Sequence, residues 1–118
     1  MNYIKHLTEF FDKVSNDETL KLTHISLYIA LFQSWNCNRF KNPVSISRDE
    51  LMRISKIGSK ATYHKCLKKL HAAGYVDYIP SYNPFKESQV NLCYFGEELN
   101  ADSQSNKQKS IVNRSVLN

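Results

Sequence analysis

From Tyr3 onward apolar residues recur at helical spacing. At about 100° per residue, Tyr3, Ile4, Leu7, Phe10, Phe11 and Val14 share one face and Thr8, Glu9, Asp12 and Lys13 lie opposite, which predicts an amphipathic helix over 3–14. Ser15-Asn16-Asp17 interrupts it. A second helix is predicted from Thr23, read as its N-cap, to Trp35 or Phe40. Its Ile25, Leu27, Tyr28, Ile29, Leu31, Phe32 and Trp35 occupy more than half the circumference, so it is expected at the centre of the fold, packed on several sides. Asn42-Pro43 is expected to stop it, because proline disfavours helical geometry in the residue before.

Val44-Ser45-Ile46 alternates as a short strand would. Ser47-Arg48-Asp49-Glu50 has the form of a capping box, in which hydroxyl and carboxylate satisfy each other's backbone donors. The short helix it opens is expected to turn Leu51, Met52 and Ile54 inward. Ile57-Gly58-Ser59 reads as a turn, with Ser59 the N-cap of a helix from Lys60 to Ala73 and Gly74 its left-handed C-terminal residue. After Gly74 the period drops to two. Residues 75–79 and 89–95 are β-branched and aromatic, and Pro80–Ser88 is rich in turn formers, which predicts a β-hairpin. Residues 97–118 are polar apart from Ile111, Val112, Val116 and Leu117, and are expected to form a mobile tail. The fold class expected is mainly α with a small β-hairpin, α+β.

Composition narrows this to a globular chain. In 118 residues, 42% hydrophobic and 23% charged content is close to globular averages, and the length suits a single core. No apolar run approaches the roughly 18–20 residues that span a bilayer, and the N-terminus lacks the apolar stretch of a signal peptide. A soluble, cytoplasmic protein with no membrane association is expected. Cys37, Cys66 and Cys93 are odd in number and widely spaced, so they are read as reduced, buried hydrophobes. Tyr3, Phe10, Phe11, Tyr28, Phe32 and Trp35 sit at core spacing. Tyr78, Tyr82 and Phe85 are open between stacking on bases and packing across the strands.

Charge changes the picture more. The net charge is +5, and residues 48–75 carry that whole excess, with seven cations against Asp49 and Glu50. A localised positive field points to a polyanionic partner. Around Tyr63, the residues Cys66, Leu67, Leu70 and Gly74 fall on one stripe of the helix from Lys60. Ala61, Lys65, Lys68 and Ala72 fall opposite, with Lys60, His64 and His71 on one shoulder and Thr62 and Lys69 on the other. Small residues and cations on an outer face let a helix enter a major groove about 12 Å wide.

The ordered combination of Ser47–Ile57, Gly58-Ser59, Lys60-Ala61-Thr62, Leu67-Lys68-Lys69-Leu70 and Ala73-Gly74-Tyr75-Val76 resembles the winged helix-turn-helix domain of bacterial DNA-binding regulators. The resemblance covers residues 44–95, and the N-terminal helices and tail are similar to those of small winged-helix proteins of bacterial mobile elements. It implies a DNA-binding domain over 1–96, with N-terminal helices over 3–40, a helix-turn-helix over 47–74 and a wing over 75–95. In that motif the first turn of the second helix faces base edges and flanking cations meet phosphates. Lys60, Ala61, Thr62 and His64 are thus expected at or beside base edges. Ser59 is expected to cap and to donate to a phosphate, and Lys65, Lys68 and Lys69 to contact phosphates, helped by Arg48 and Lys56. Lys86, beside Tyr82 and Asn83 at the hairpin tip, is expected to reach a minor groove or the backbone.

Other chemistry finds little footing. His64, Cys66 and His71 lack the spacing of a zinc site, no thiol shows an activating environment, and no phosphate-cradling glycine loop or nucleophile elbow is present. His6 and His24 are read as surface or satisfied core positions. The reading is therefore a non-enzyme without cofactor or small-molecule substrate, which binds double-stranded DNA as a small transcription regulator. A homodimer is expected, formed through residues 3–14 or the tail, since one module reads few base pairs. The alternatives are a replication or mobile-element maintenance protein using the same domain, and a winged-helix protein-interaction adaptor without DNA binding.

Overall fold

The computed structural model describes residues 2–96, so the expected tail over 97–118 lies outside the described residues. In chain order the elements are α1 (Tyr3–Ser15), α2 (Leu22–Cys37), β1 (Val44–Ser45), α3 (Arg48–Ser55), α4 (Lys60–Ala72), β2 (Val76–Ile79) and β3 (Gln89–Leu92). The described chain is thus mainly helical with a small antiparallel sheet of order β1-β3-β2, an α+β arrangement. It divides into two compact units, residues 11–93 and residues 2–10 with 94–96.

Within residues 11–93, α2 packs against both α3 and α4, and α4 against β2. The cause is the breadth of the apolar arc on α2: Leu27, Tyr28, Ala30, Leu31 and Trp35 are buried, and of its larger apolar residues only Leu22, at the helix start, and Ile29 are exposed. Leu51 from α3, Tyr63, Cys66, Leu67 and Leu70 from α4, and Tyr75, Val76, Val90 and Leu92 complete this core. Each large side chain so buried contributes about 1.5–3 kcal/mol against exposure. In the sheet, Val44 stands opposite Val90 and Val76 opposite Leu92, so the alternation of β3 turns Val90 and Leu92 inward.

Several boundaries differ from expectation, each for a local reason. The N-cap of α2 is Lys21, not Thr23, because His24 Nδ1 accepts the Lys21 N–H at 2.8 Å and starts the helix two residues earlier. The same helix ends at Cys37, well before Pro43. Arg39 and Phe40 take left-handed backbone at φ 58° and 57°, and the Phe40 ring folds back to 5.1 Å from Trp35. Only half of the expected capping box forms. Ser47 Oγ accepts the Glu50 N–H at 3.2 Å, while the Glu50 carboxylate turns to the Arg53 guanidinium one turn on. On α3 the buried pair is Leu51 and Ser55, with Ile54 exposed, because the Ser26 hydroxyl of α2 donates to the Ser55 carbonyl and draws the small residue inward. The strand expected over 89–95 stops at Leu92, whose N–H and C=O are both taken by the Asn42 side chain. Cys66 is buried as expected, but Cys37 and Cys93 are exposed.

In the unit of residues 2–10 with 94–96, the fully buried groups are Phe10 and His6. The His6 ring lies parallel to those of Tyr94 and Phe95, at centroid distances of 5.5 and 5.0 Å, and its Nδ1 accepts the Phe95 N–H at 2.9 Å. Tyr94 Oη accepts the Asn2 N–H and donates to the Asn2 carbonyl. Gly96 approaches so closely that a Cβ there would stand 2.9 Å from the His6 backbone nitrogen. The expected core face of α1 is therefore only partly buried. Tyr3, Ile4 and Phe11 are 50%, 79% and 47% exposed, and the buried line runs instead through His6 and Phe10.

Candidate nucleic-acid interface

The second helix of the α3–α4 pair is set at both ends by its own sequence. Ser59 has extended backbone and its Oγ accepts the Thr62 N–H at 3.3 Å, which satisfies a donor left over at the first turn. At the other end Gly74 adopts φ +84°, a conformation that glycine takes without steric cost. Beyond it, His71 Nδ1 accepts the Tyr78 N–H at 3.0 Å and so ties the last turn of α4 to β2. Nothing in the local pattern distinguishes that histidine from its neighbours; only the fold brings Tyr78 to it.

Between these ends the helix has two sides. Tyr63, Cys66, Leu67 and Leu70 are buried, as the periodicity predicts. Gly74, expected on the same stripe, lies past the helix end and is exposed. Ala61, Lys65, Lys68 and Ala72 are exposed together on the opposite side, and Lys60 is exposed on the shoulder. Among the described residues no ion pair engages Lys60, Lys65 or Lys68. Thr62 and His64 are half-buried at the borders of that face. Lys69 is half-buried too, and its charge depresses the titration of Asp17 and His24. For Asp17 the hydrogen bonds from Thr19 are the larger cause, and for His24 burial is.

The remaining expected residues surround the turn and the hairpin. Arg48 opens α3, partly exposed, with Nε 3.4 Å from Asp49 Oδ1. Lys56 caps the far end of α3 in left-handed geometry at φ 66° and is exposed, followed by the buried Ile57. Lys86 is exposed in the β2–β3 loop, where its N–H donates to the Asn83 carbonyl at 3.0 Å. A groove of about 650 Å³ joins three of these places: Arg48 on α3, His64 on α4 and Lys86 on the loop all line it. Asp49 and Glu87 line it as well.

One feature of this groove escaped the sequence reading, and a second, beside it, excludes one of the two alternatives left open there. Tyr63, placed in the core stripe by its spacing, is 2% exposed and also lines the groove. Among the described residues its hydroxyl has no hydrogen-bond partner. Burial pushes this phenol up to about 12, the Tyr78 phenol adds to the rise, and the Arg48 guanidinium opposes it. The available signal was the choice of tyrosine where leucine or phenylalanine would fill a stripe, because a buried phenol normally finds a partner for its hydroxyl. The second feature is the loop tip. Tyr82 and Phe85 are 92% and 96% exposed, so they do not pack across the strands.

Among the described residues no group of three or more His, Cys, Asp and Glu side chains is placed to hold a metal ion, and no helix is long and apolar enough to cross a membrane. No known protein family, curated protein or solved structure matches the chain.

Proposed function

We propose that the chain binds duplex DNA as a winged helix-turn-helix protein. In this reading α3 and α4 form the helix-turn-helix, β2 and β3 form the wing, and α1 and α2 are additional N-terminal helices. The observation that carries it is the exposed face of α4, where Lys65 and Lys68 stand with Ala61 and Ala72 opposite the buried stripe of Tyr63, Cys66, Leu67 and Leu70, with Lys60 exposed on one shoulder. Such a face has no bulky side chain to keep it out of a major groove, and its cations lie at the flanks where phosphates run. Lys60, Ala61, Thr62 and His64 take the base-edge side, with Lys65 and Lys68 on the backbone. Arg48, Lys56 and Lys86 extend the contact to either side of the helix. A small cytoplasmic transcription regulator is the role that fits, acting as a homodimer because one such module reads too few base pairs for useful affinity.

Salt dependence tests it. Each phosphate contact releases counterions and contributes about 0.9 to the slope of log affinity against log salt. Replacing Lys65 and Lys68 by alanine removes two contacts. Between 50 and 200 mM salt, the parent should then lose about tenfold more duplex affinity than the double variant. A double variant with the parent's slope would refute the placement of these lysines on phosphates. Affinity for another macromolecule without any salt-dependent duplex binding would favour the adaptor reading. Selection of duplexes from a random pool would add the recognised sequence, and a palindromic motif would report the dimer.

A further inference from the structure

We propose that the β2–β3 tip and the adjoining groove hold an unpaired nucleobase, so that the chain prefers DNA whose strands are locally open; this rests on the DNA-binding reading above. The tip is built to present its aromatics. Asn83 Oδ1 accepts the Phe85 N–H at 2.9 Å, the Asn83 carbonyl accepts the Lys86 N–H, and Ser88 Oγ accepts the Ser81 N–H at 3.0 Å. A loop held this way keeps Tyr82 and Phe85 pointing into solvent, where two large apolar rings gain nothing. A flat ring in that position stacks well on any base, since every base has a π face.

The groove beside Phe85 supplies the edge contacts. Tyr63 lines it, with a hydroxyl that has no hydrogen-bond partner among the described residues, within the electrostatic reach of Arg48 and the Tyr78 phenol. Two cations and two carboxylates line the groove, Arg48 and Lys86 against Asp49 and Glu87, so its formal charge is zero with His64 neutral. A bare phosphate would meet both carboxylates. A neutral ring carrying donors and acceptors on its rim meets no such repulsion, and a nucleobase is that ligand. Within duplex DNA the base's faces are stacked and its edge is paired, so it reaches the groove only once it has left the helix. The cost of leaving is smallest where pairing is already lost.

The experiment compares two labelled DNAs of the same length, one a perfect duplex and the other with a short internal mismatch bubble containing 2-aminopurine, titrated with the full chain. The expected result is about tenfold tighter binding to the bubble, the scale of one aromatic–base stack, together with quenching of the 2-aminopurine fluorescence. Phe85→Ala, at a solvent-exposed position, should abolish both the preference and the quenching while leaving perfect-duplex affinity unchanged. Tyr63→Phe keeps the packed ring and should reduce the preference severalfold. Equal affinity of the parent for both DNAs overturns the proposal and leaves the cationic-face reading standing. A preference that survives both substitutions also overturns it, since the bubble would then be favoured by its flexibility alone. Absence of binding to either DNA overturns both readings.

Discussion

Acidification should weaken the N-terminal unit through a single imidazole. His6 is fully buried, parallel to the Tyr94 and Phe95 rings, and its Nδ1 accepts the Phe95 N–H, so that nitrogen must be unprotonated for the bond to exist. Burial lowers its pKa from 6.5 to about 4. The unfolded chain therefore binds a proton at pH values where the folded chain does not, and stability falls as pH drops from 6.5 towards 4. One pKa unit corresponds to about 1.4 kcal/mol, so the loss from this group reaches about 2 kcal/mol at pH 5 and at most about 3 kcal/mol at pH 4. Above pH 6.5 the contribution is fully present and flat. His24 shifts in the same direction, and a comparison of the parent with His6→Gln removes its share. Urea unfolding at pH 7, 6, 5 and 4 should give a shallower pH dependence for the variant by close to one proton near pH 5. In the parent, the His6 ring proton should titrate by NMR with a midpoint near 4. A midpoint near 6.5, or the same pH dependence in both proteins, would refute the buried imidazole with Nδ1 as acceptor.

Other perturbations separate the core, the close approach at Gly96 and the cations of α4. Leu67 is fully buried, so Leu67→Ala should cost roughly 2–5 kcal/mol in urea unfolding; full retained stability would contradict the helical phase. Gly96→Ala places a Cβ 2.8 Å from Lys5 Cγ and 2.9 Å from the His6 backbone nitrogen. It should displace residues 94–96 and let the His6 midpoint rise towards its ordinary value, as read by the same NMR titration. Lys69→Ala should raise the His24 midpoint, because the Lys69 charge disfavours the imidazolium. It should leave the salt slope of duplex binding unchanged, unlike the change at Lys65 and Lys68.

What the amino-acid pattern conveyed of the fold was its repetitive part. Tyr63, Leu67 and Leu70 repeat at helical spacing and are buried. Ser47 and Ser59 precede their helices and accept from them. Gly74 ends α4 in the conformation that suits glycine. The departures share another cause, competition between partners that are far apart in sequence or equally near. Thr23 is an acceptable cap by type, but the His24 ring reaches the Lys21 N–H first. Glu50 had two possible partners one turn apart, and the Arg53 guanidinium offers an opposite charge and two donors where the Ser47 N–H offers one neutral donor. Ile54 and Ser55 exchange roles because α2 comes close enough for Ser26 to bond the Ser55 carbonyl. His6, open in the sequence between a surface and a satisfied core position, is decided as core by Phe95, eighty-nine residues away, which supplies its donor.

The site was legible to the same extent and fails for the same reason. Periodicity puts Lys65 and Lys68 on one exposed face, with Lys60 on a shoulder, because that depends only on the geometry of a single helix. It also counts Lys69 with them, since a shoulder position looks free until another segment fills the space beside it, and Asp17 and His24 lie within its electrostatic reach. The groove could not be read at all. Arg48, Tyr63 and Lys86 are separated by fifteen and twenty-three residues and meet only because α3, α4 and the β2–β3 loop converge. Composition alone therefore ranks the seven cations of residues 48–75 as equivalent, whereas the fold gives them different duties. Arg53 is engaged with Glu50, Arg48 lies beside Asp49 and Lys69 stands near Asp17, while Lys60, Lys65 and Lys68 on α4 and Lys56 after α3 enter no ion pair among the described residues. On the proposed function, that division turns a positive block of sequence into an oriented surface, and the salt slope is expected to respond to Lys65 and Lys68 and not to Lys69.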